Sequence, residues 1–442
     1  MMAIALMLIT MAQGEGAKSM TECIGYALTH SPQIKIAEEA AASARGQVIS
    51  TMGDYLPHVG LYNTYTQTEN PSLGGRISMP GIRPSLISVE YYDISLQATQ
   101  AIFSWKMIPS VKASRAALRL AEVQVMGAKN DLISQVSRGF YAVLFSRQGL
   151  EISKEAESVA RENYDTARAL YREGKASSFD VSRAKVQWTN SQTDTLRASN
   201  AVKLSLESLR TVMFAQEEPV EIGGELEEKP VSLTLDDALN LAVKNRPELR
   251  ALNESESLYE SQVEVARSSA IPTLNASYNY LLEGRRLTTE WDDYYKTWTF
   301  LVSLNIPLFD GLTTLGKVRS AKAVLGQVRS LRNGTEEQFR LEVRSAWLSL
   351  QEAHERITAQ RENVSTAREN LRIARERYGM GLLSFLELKD AELSLTQART
   401  NLAQALYDYS VARSALERAV GGGGNVAPEL NPSGETKEGS PR

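Results

Sequence analysis

The chain repeats itself. Moved along by 215 residues, Cys23-Ile24-Gly25-Tyr26-Ala27-Leu28-Thr29-His30-Ser31-Pro32 falls on Ala238-Leu239-Asn240-Leu241-Ala242-Val243-Lys244-Asn245-Arg246-Pro247, and Tyr55-Leu56-Pro57 falls on Ala270-Ile271-Pro272. A shift of 206 carries Ile102-Phe103 onto Leu308-Phe309, Arg138 onto Arg344 and Tyr141 onto Trp347. A shift of 207 carries Tyr171, Gly174, Ser177, Asp180 and Ala184 onto Tyr378, Gly381, Ser384, Glu387 and Ala391. The order never scrambles, so any fold must be built twice from one unit of about 200 residues. Repeat 1 covers 20–214 and repeat 2 covers 235–420, joined by a linker, 215–234, that contains the acidic, Pro/Gly-bearing stretch Ala215–Pro230. The tail 421–442 opens on four glycines, carries Pro428, Pro432 and Pro441, and reads as disordered.

Proline placement divides each unit. No proline lies between Pro109 and Pro219 or between Pro307 and Pro428, and both stretches are rich in good helix formers. Each is interrupted by one Gly-containing turn, Gly174–Ser178 or Gly379–Ser384, which predicts helical hairpins over 107–214 and 312–420. The first incoming helix, about 107–172, would be roughly 100 Å long at 1.5 Å per residue, with Gly127 (and Gly334 in the second) as a place to soften or bend. The returning helix, about 178–214, and an opening helix, about 20–53, are each about half as long, so two short helices stacked end to end would flank one long one. In repeat 2 the residues Leu388, Ala391, Leu395, Ala398, Leu402, Ala405, Tyr409, Ala412 and Leu416 alternate spacings of 3 and 4, the seam of a coiled coil. Val181, Ala184, Trp188, Ser191, Thr195, Ala198, Val202, Ser205 and Leu209 repeat it more weakly.

Each unit also holds two β-like segments, 56–67 and 89–103 in the first and 271–282 and 297–309 in the second. Trp298, Phe300, Val302, Leu304, Ile306 and Leu308 alternate with a mostly polar set, Thr297, Thr299, Leu301, Ser303, Asn305 and Pro307. Leu274, Ala276, Tyr278, Tyr280 and Leu282 alternate with Thr273, Asn275, Ser277 and Asn279, and Tyr92, Ile94, Leu96 and Ala98 alternate with Asp93, Ser95, Gln97 and Thr99. Segments of about ten residues with one apolar and one polar face suit a transmembrane β-barrel; a soluble sheet lying on helices would read similarly. The connecting loops, Glu69–Ser88 and Glu283–Lys296, are polar and rich in Gly, Pro or charge. Four strands cannot close a barrel, and an open edge cannot sit in lipid, so membrane strands would require several copies.

Met1–Ala12 is apolar apart from Thr10 and reads as the core of a shortened secretory signal cleaved after Ala12, or as a buried N-terminal helix. The single cysteine, Cys23, excludes a disulfide framework and any CxxC site; with Glu22 before it, it reads as a buried helix residue rather than a lipid attachment point. A net charge of −4, from 49 Lys+Arg against 53 Asp+Glu, gives no basic footprint for nucleic acid. His30, His58 and His354 are far apart, and no HExxH, GxSxG or GxxxxGK[ST] occurs, so neither a metal, a cofactor nor an enzyme is expected.

The doubled strand–strand–hairpin plan, with turn sequences Tyr171-Arg-Glu-Gly174-Lys-Ala-Ser177-Ser-Phe-Asp180 and Tyr378-Gly-Met-Gly381-Leu-Leu-Ser384-Phe-Leu-Glu387, resembles the TolC-like outer-membrane efflux proteins over about residues 20–420. The strand-end motif Asn305-Ile-Pro-Leu-Phe309-Asp-Gly311 is similar as well. The resemblance implies a mainly α fold with β: a homotrimer whose twelve strands form an outer-membrane barrel continuous with a periplasmic α-helical barrel. It places the chain in the outer membrane of a Gram-negative bacterium, in contact with lipid and extending into the periplasm. It implies partners too: a periplasmic adaptor (membrane fusion protein) and an inner-membrane pump of the RND, ABC or MFS type.

On the same resemblance, the hairpin turns that meet the adaptor fall on Gly174, Lys175, Ala176 and Ser177 and on Gly381, Leu382, Leu383 and Ser384. The first turn departs from the family's Val-Gly-Leu, reading Glu173-Gly174-Lys175. The aperture carboxylates fall on Glu387 and Asp390, three residues apart on one helix face; threefold symmetry would gather six of them. Acids at a helix start are also favoured by the helix dipole alone. Where some relatives carry a locking arginine this chain has Leu383, while Tyr378 and Asp180 remain and could pair. The expected function is a passive exit duct of a tripartite efflux or type I secretion system. A periplasmic coiled-coil adaptor or scaffold is the alternative.

Overall fold

The computed structural model describes residues 17–70, 87–215, 220–284, 290–380 and 382–422. The signal-like Met1–Ala12, Gly381, most of the first strand-connecting loop, residues 285–289 of the second and the tail beyond 422 lie outside the described residues. In chain order the elements are β1 (Ala17–Lys18), α1 (Met20–His30), α2 (Pro32–Gly53), β2 (His58–Asn70), β3 (Ile87–Ser104), α3 (Met107–Arg172) and α4 (Ser178–Met213). The second half holds β4 (Glu221–Ile222), α5 (Leu235–Asn245), α6 (Pro247–Ser268), β5 (Thr273–Gly284), β6 (Tyr295–Asn305), α7 (Thr313–Gly379) and α8 (Phe385–Ala419). A single 3₁₀ turn, Trp291–Asp293, precedes β6.

Two differences from the sequence reading have plain causes. The opening helix expected over 20–53 is two helices. Pro32 begins α2, and the residue before a proline is pushed out of the α region: Ser31 sits at φ −70°, ψ 120°. Pro247 repeats the break, with Arg246 at φ −61°, ψ 122°. The long helices, by contrast, run unbroken through Gly127 and Gly334.

The chain divides into two compact units. One takes the chain to residue 39, then 122–250 and 333 onward. Its core joins Cys23 and Ala27 of α1, Val136, Phe140 and Val143 of α3, Leu209 and Met213 of α4, Val343 and Ile357 of α7, and Tyr409 and Leu416 of α8. Between α3 and α4, Gly139 faces Leu209; an added Cβ would lie 3.1 Å from Leu209 Cδ1. Along α8 the expected seam is the buried one: Leu388, Leu395, Ala398, Ala405, Tyr409, Ala412 and Leu416 are buried. The weaker seam of α4 buries only Ala184, Ser191 and Leu209.

The linker is held to this unit by its backbone. Its β4 pairs in parallel with β1, Ala17 opposite Glu221 and Lys18 opposite Ile222. Beyond that it has no ladder, so side chains supply the missing donors. Tyr409 Oη donates to Lys229 O (2.6 Å), Trp347 Nε1 donates to Leu233 O (3.1 Å), and Arg147 donates to Ile222 O. Glu228, nearly buried, lies 2.5 Å from His354 Nδ1 and 2.6 Å from Arg361 Nη1. A fully buried Arg246 closes the end of the unit. Its Nε donates to Ala419 O (2.6 Å), its Nη2 makes a 2.8 Å ion pair with Glu342, and its guanidinium lies 4.0 Å from the centre of the Phe339 ring. Nearby, Gly421 has φ +82°, and a Cβ there would meet the backbone of Asn245 at 2.6 Å, so only glycine fits.

The other unit comprises 40–121 and 251–332. Its helical part is laced by Arg119–Glu254 (2.8 Å) and by Arg329, which reaches Glu256 (2.8 Å) and Glu260 (2.6 Å). Its sheet has the order β2-β3-β5-β6, antiparallel throughout. The register sorts the side chains into two faces. Leu61, Leu96, Tyr280 and Trp298 form one cross-strand row, and Val59, Ala98, Tyr278 and Phe300 the next. The rows between them are Gly60, Gln97, Asn279 and Thr299, and Tyr62, Ser95, Leu281 and Thr297. A β-bulge interrupts the β3–β5 ladder between Ala101 and Phe103, leaving Ile102 as the extra residue. The apolar face is bare: Leu61, Trp298 and Phe300 are 72, 65 and 61% exposed, and β6 is exposed along its whole length.

Candidate functional site

The two hairpin turns are built alike. At the end of α3 the Lys175 N–H bonds Leu170 O (2.9 Å) and the Gly174 N–H bonds Tyr171 O (3.0 Å), with Gly174 at φ +73°. This is a Schellman closure, and the left-handed position explains the glycine. At the end of α7 the Leu382 N–H makes the matching long bond to Arg377 O (2.9 Å). Gly381 itself is outside the described residues.

Each returning helix then opens on a capping box. Ser177 Oγ accepts from the Asp180 N–H (3.2 Å), while Asp180 Oδ2 accepts from Ser177 N–H (3.1 Å) and Ser177 O–H (2.6 Å). Ser384 and Glu387 repeat it at 3.3, 2.9 and 2.7 Å. The serine bonds hold both carboxyls below their ordinary range. Of the two expected aperture acids, Glu387 therefore has one oxygen engaged by its own helix start. Asp390, one turn on, is exposed, with no hydrogen bond to its carboxylate among the described residues.

Tyr378 and Leu383 are half-buried and packed against the cluster Val364, Ala367, Leu371, Ala374, Leu388 and Leu395, the Tyr378 ring centre 6.3 Å from that of Phe385. Burial pushes the Tyr378 hydroxyl pKa up, and the Asp180 charge adds to the shift. Asp180 thus lies within electrostatic reach of Tyr378, without a hydrogen bond between them among the described residues. Leu383 does apolar packing at this position. Lys175 is exposed and bonds Glu173 (2.9 Å), and Ala176 is half-buried.

Two exposed residues at this end, Phe179 and Met380, were not singled out from sequence, whereas Leu382 was. Phe179, Met380 and Leu382 are 69, 66 and 72% exposed, so both turns present apolar side chains to solvent. Further along, the hairpins are tied across 229 residues of sequence: Asn163 Nδ2 donates to both oxygens of Glu392 (3.1 and 2.9 Å), and Arg399 donates to Glu155. The tie borders a cleft of about 540 Å³ lined by apolar Ala156, Val159 and Leu395 and charged Arg375 and Lys389. Burial raises the Glu392 pKa.

A group raised in the fold contributes stability below its unfolded pKa and loses it as pH rises through the folded value. Burial of Glu392 is therefore expected to stabilise the fold most in acid and to lose that contribution as pH rises through its raised folded pKa, read as faster amide hydrogen exchange near Asn163, while the Asn163 bond itself favours the ionised form. Asn163→Ala, which leaves Glu392 without its donor, should cost about 1–3 kcal/mol. Glu392→Gln should stay near wild type, because it removes the charge that burial disfavours. Equal losses in thermal unfolding for the two variants would contradict this.

Three comparisons bear on these features. The family described as Outer membrane efflux protein matches residues 23–213 and 238–422, one segment per repeat. The outer membrane protein TolC of Vibrio cholerae is 22% identical over 423 residues, 93% of this chain and 92% of that protein. The alkaline protease secretion protein AprF of Pseudomonas aeruginosa is 21% identical over 347 residues, 74% of this chain and 68% of AprF. Among solved structures, that of CusC superposes with a TM-score of 0.79 at 17% identity, covering 94% of this chain and 96% of CusC, which speaks to the fold.

Proposed function

The chain belongs to the outer membrane efflux protein family, and we propose that it is the exit duct of a tripartite efflux or type I secretion system, working as a closed homotrimer. It is an outer-membrane channel reaching into the periplasm, in a family of channels rather than of enzymes. A periplasmic adaptor and an inner-membrane pump are its partners in this reading. Conduction is passive.

The observation that carries the trimer is the sheet. Its apolar face is largely open to its surroundings, and its two edges have no partner strand among the described residues. In lipid every backbone donor and acceptor must be satisfied within protein, so edges must be joined to other edges. Three copies make twelve strands, enough for a barrel with a polar interior. A periplasmic adaptor or scaffold would leave the bare apolar face without an account.

The gate is assigned to the turn end. Glu387 and Asp390 line the aperture, Asp180 and Tyr378 act beside them, and 174–177 with 381–384 form the adaptor-contact rims, aided by exposed Phe179 and Met380. Purified protein in planar bilayers should give discrete channels that prefer cations. Neutralising both acids, as Glu387→Gln with Asp390→Asn, should lower that preference or raise conductance. Asp390→Asn alone should account for most of the change, since Ser384 holds Glu387. Unaltered conductance and selectivity in the double variant would remove the gate assignment, and a water-soluble monomer without channel activity would remove the duct.

A further inference from the structure

The duplication recorded in the sequence also fixes a register between strands of the sheet. In repeat 1, His58 of β2 stands opposite Thr99 of β3; in repeat 2, Thr273 of β5 stands opposite Asn305 of β6. Moving β2 by 215 and β3 by 206, the shifts that align the repeats, converts the first pair into the second. The two hairpins therefore have one internal register. The chain also contains one joint between hairpins: β3 of repeat 1 pairs with β5 of repeat 2. The outer edges, β6 and β2, are the repeat-related counterparts of β3 and β5, and neither edge pairs with another strand among the described residues.

We propose that β6 of one copy pairs antiparallel with β2 of the next copy in the register of the β3–β5 joint, so that all six hairpins of the closed ring are joined alike. This rests on the closed-trimer reading above. Transferring the observed pairs through the same shifts gives a definite list. Leu96↔Tyr280 becomes Val302 opposite Tyr65, and Ala98↔Tyr278 becomes Leu304 opposite Asn63. Gln97↔Asn279 becomes Ser303 opposite Thr64, and Thr99↔Ser277 becomes Asn305 opposite Tyr62.

Two features of the sheet accord with it. The first is facing. A one-residue slip would turn every side chain of a strand to the wrong face. The transferred register sets the apolar-face residues Val302 and Leu304 against Tyr65 and Asn63, which share the face of Leu61, and sets Ser303 against Thr64 on the polar face. The second is where β6 stops. β2 begins at His58, opposite Thr99, so the last residues of β3, Gln100–Ser104, are paired only with β5. Their counterparts are Ile306–Asp310, whose partner would be the β2 of another copy. In the single chain β6 ends at Asn305, and Leu308 and Phe309 are 92 and 82% exposed. In the transferred register Leu308 takes the bulge place of Ile102, and Phe309 stands opposite Val59. Pro307 then lies beside the bulge, where a sheet tolerates a residue without an N–H.

Cysteine pairs in the full-length protein in outer membranes test this. Paired residues on antiparallel strands have Cα atoms about 4.5–5.5 Å apart, inside the range a disulfide spans; a slip of two residues adds about 7 Å along the strand and leaves it. Within one chain Thr64 stands in the row of Tyr295, so Ser303 lies three strand spacings across the sheet and eight residues along it, about 30 Å away and too far to link. Cys23 is fully buried and stays silent. Ser303→Cys with Thr64→Cys should convert monomer into disulfide-linked dimer and trimer bands on mild oxidation. Ser303→Cys with Thr66→Cys should leave the monomer band. If the second pair links better than the first, or neither links in a preparation that is trimeric by native mass, the register is overturned while the duct reading stands. If the preparation is monomeric and forms no channels, the duct reading falls and the register with it.

Discussion

Phe300→Lys is expected to remove the assembled protein from the outer membrane, whereas Thr299→Lys, one residue away, is expected to leave it there. The two positions differ in facing. Phe300 shares the apolar face with Tyr278 and Ala98, and Thr299 shares the polar face with Asn279 and Gln97. A lysine on the lipid face of a barrel costs about 2–4 kcal/mol at the bilayer midplane and less near the interfaces. In a closed trimer the substitution is present three times, so the summed cost rivals the about 5–15 kcal/mol that separates folded from unfolded for a typical domain. At Thr299 the ammonium would project into water inside the barrel and stay hydrated. The measurement is the amount of trimer in detergent-extracted outer membranes for the two variants. Equal amounts would mean that the faces of the sheet are assigned wrongly.

The second large effect is expected at Arg246. It is fully buried, and it serves Ala419 O, Glu342 and the Phe339 ring together. Breaking a buried ion pair by removing one partner typically costs about 3–5 kcal/mol. Glu342 is partly exposed and keeps Arg418 at 3.0 Å, so the loss for Arg246→Ala belongs at the low end, about 3 kcal/mol. That corresponds to a fall in Tm of about 6–12 °C at 2–4 °C per kcal/mol. Arg246→Met keeps a flexible side chain against Phe339 and should lose less. Thermal unfolding followed by circular dichroism in detergent separates the cases, and an unchanged Tm for Arg246→Ala would contradict the clamp.

These two residues show what one-dimensional reading can and cannot reach. The facing of Phe300 is visible because a strand has a period of two, and the alternation from Trp298 to Leu304 is nearly unbroken. The seam from Leu388 to Leu416 is visible for the same kind of reason, a spacing of 3 and 4 kept over nine positions. Arg246 is different. It is one of 49 basic residues, and its repeat-1 counterpart is Ser31, so the duplication points away from its role. The breaks at Pro32 and Pro247 were in plain sight, and reading one helix over 20–53 overlooked that proline favours the first turn of a new helix.

The turns follow the same division. Ser-x-x-Asp and Ser-x-x-Glu, at 177–180 and 384–387, are local patterns with a local consequence, the capping boxes. The ties Asn163–Glu392 and His354–Glu228 join residues 229 and 126 positions apart. Nothing in the spacing of such residues marks them as neighbours, because packing of one helix on another decides it. The packing of Leu383 and Tyr378 against one apolar cluster likewise appears only once the hairpin is closed.

The stretch after β6 has a consequence for the life of the protein. Leu308 and Phe309 are the most exposed large apolar residues of the sheet's outer edge, on backbone that no neighbouring strand holds. A lone subunit thus displays an apolar, extended stretch that a neighbouring copy would cover in the proposed closed assembly. If copies join edge to edge as proposed, covering this stretch would distinguish an assembled subunit from an unassembled one.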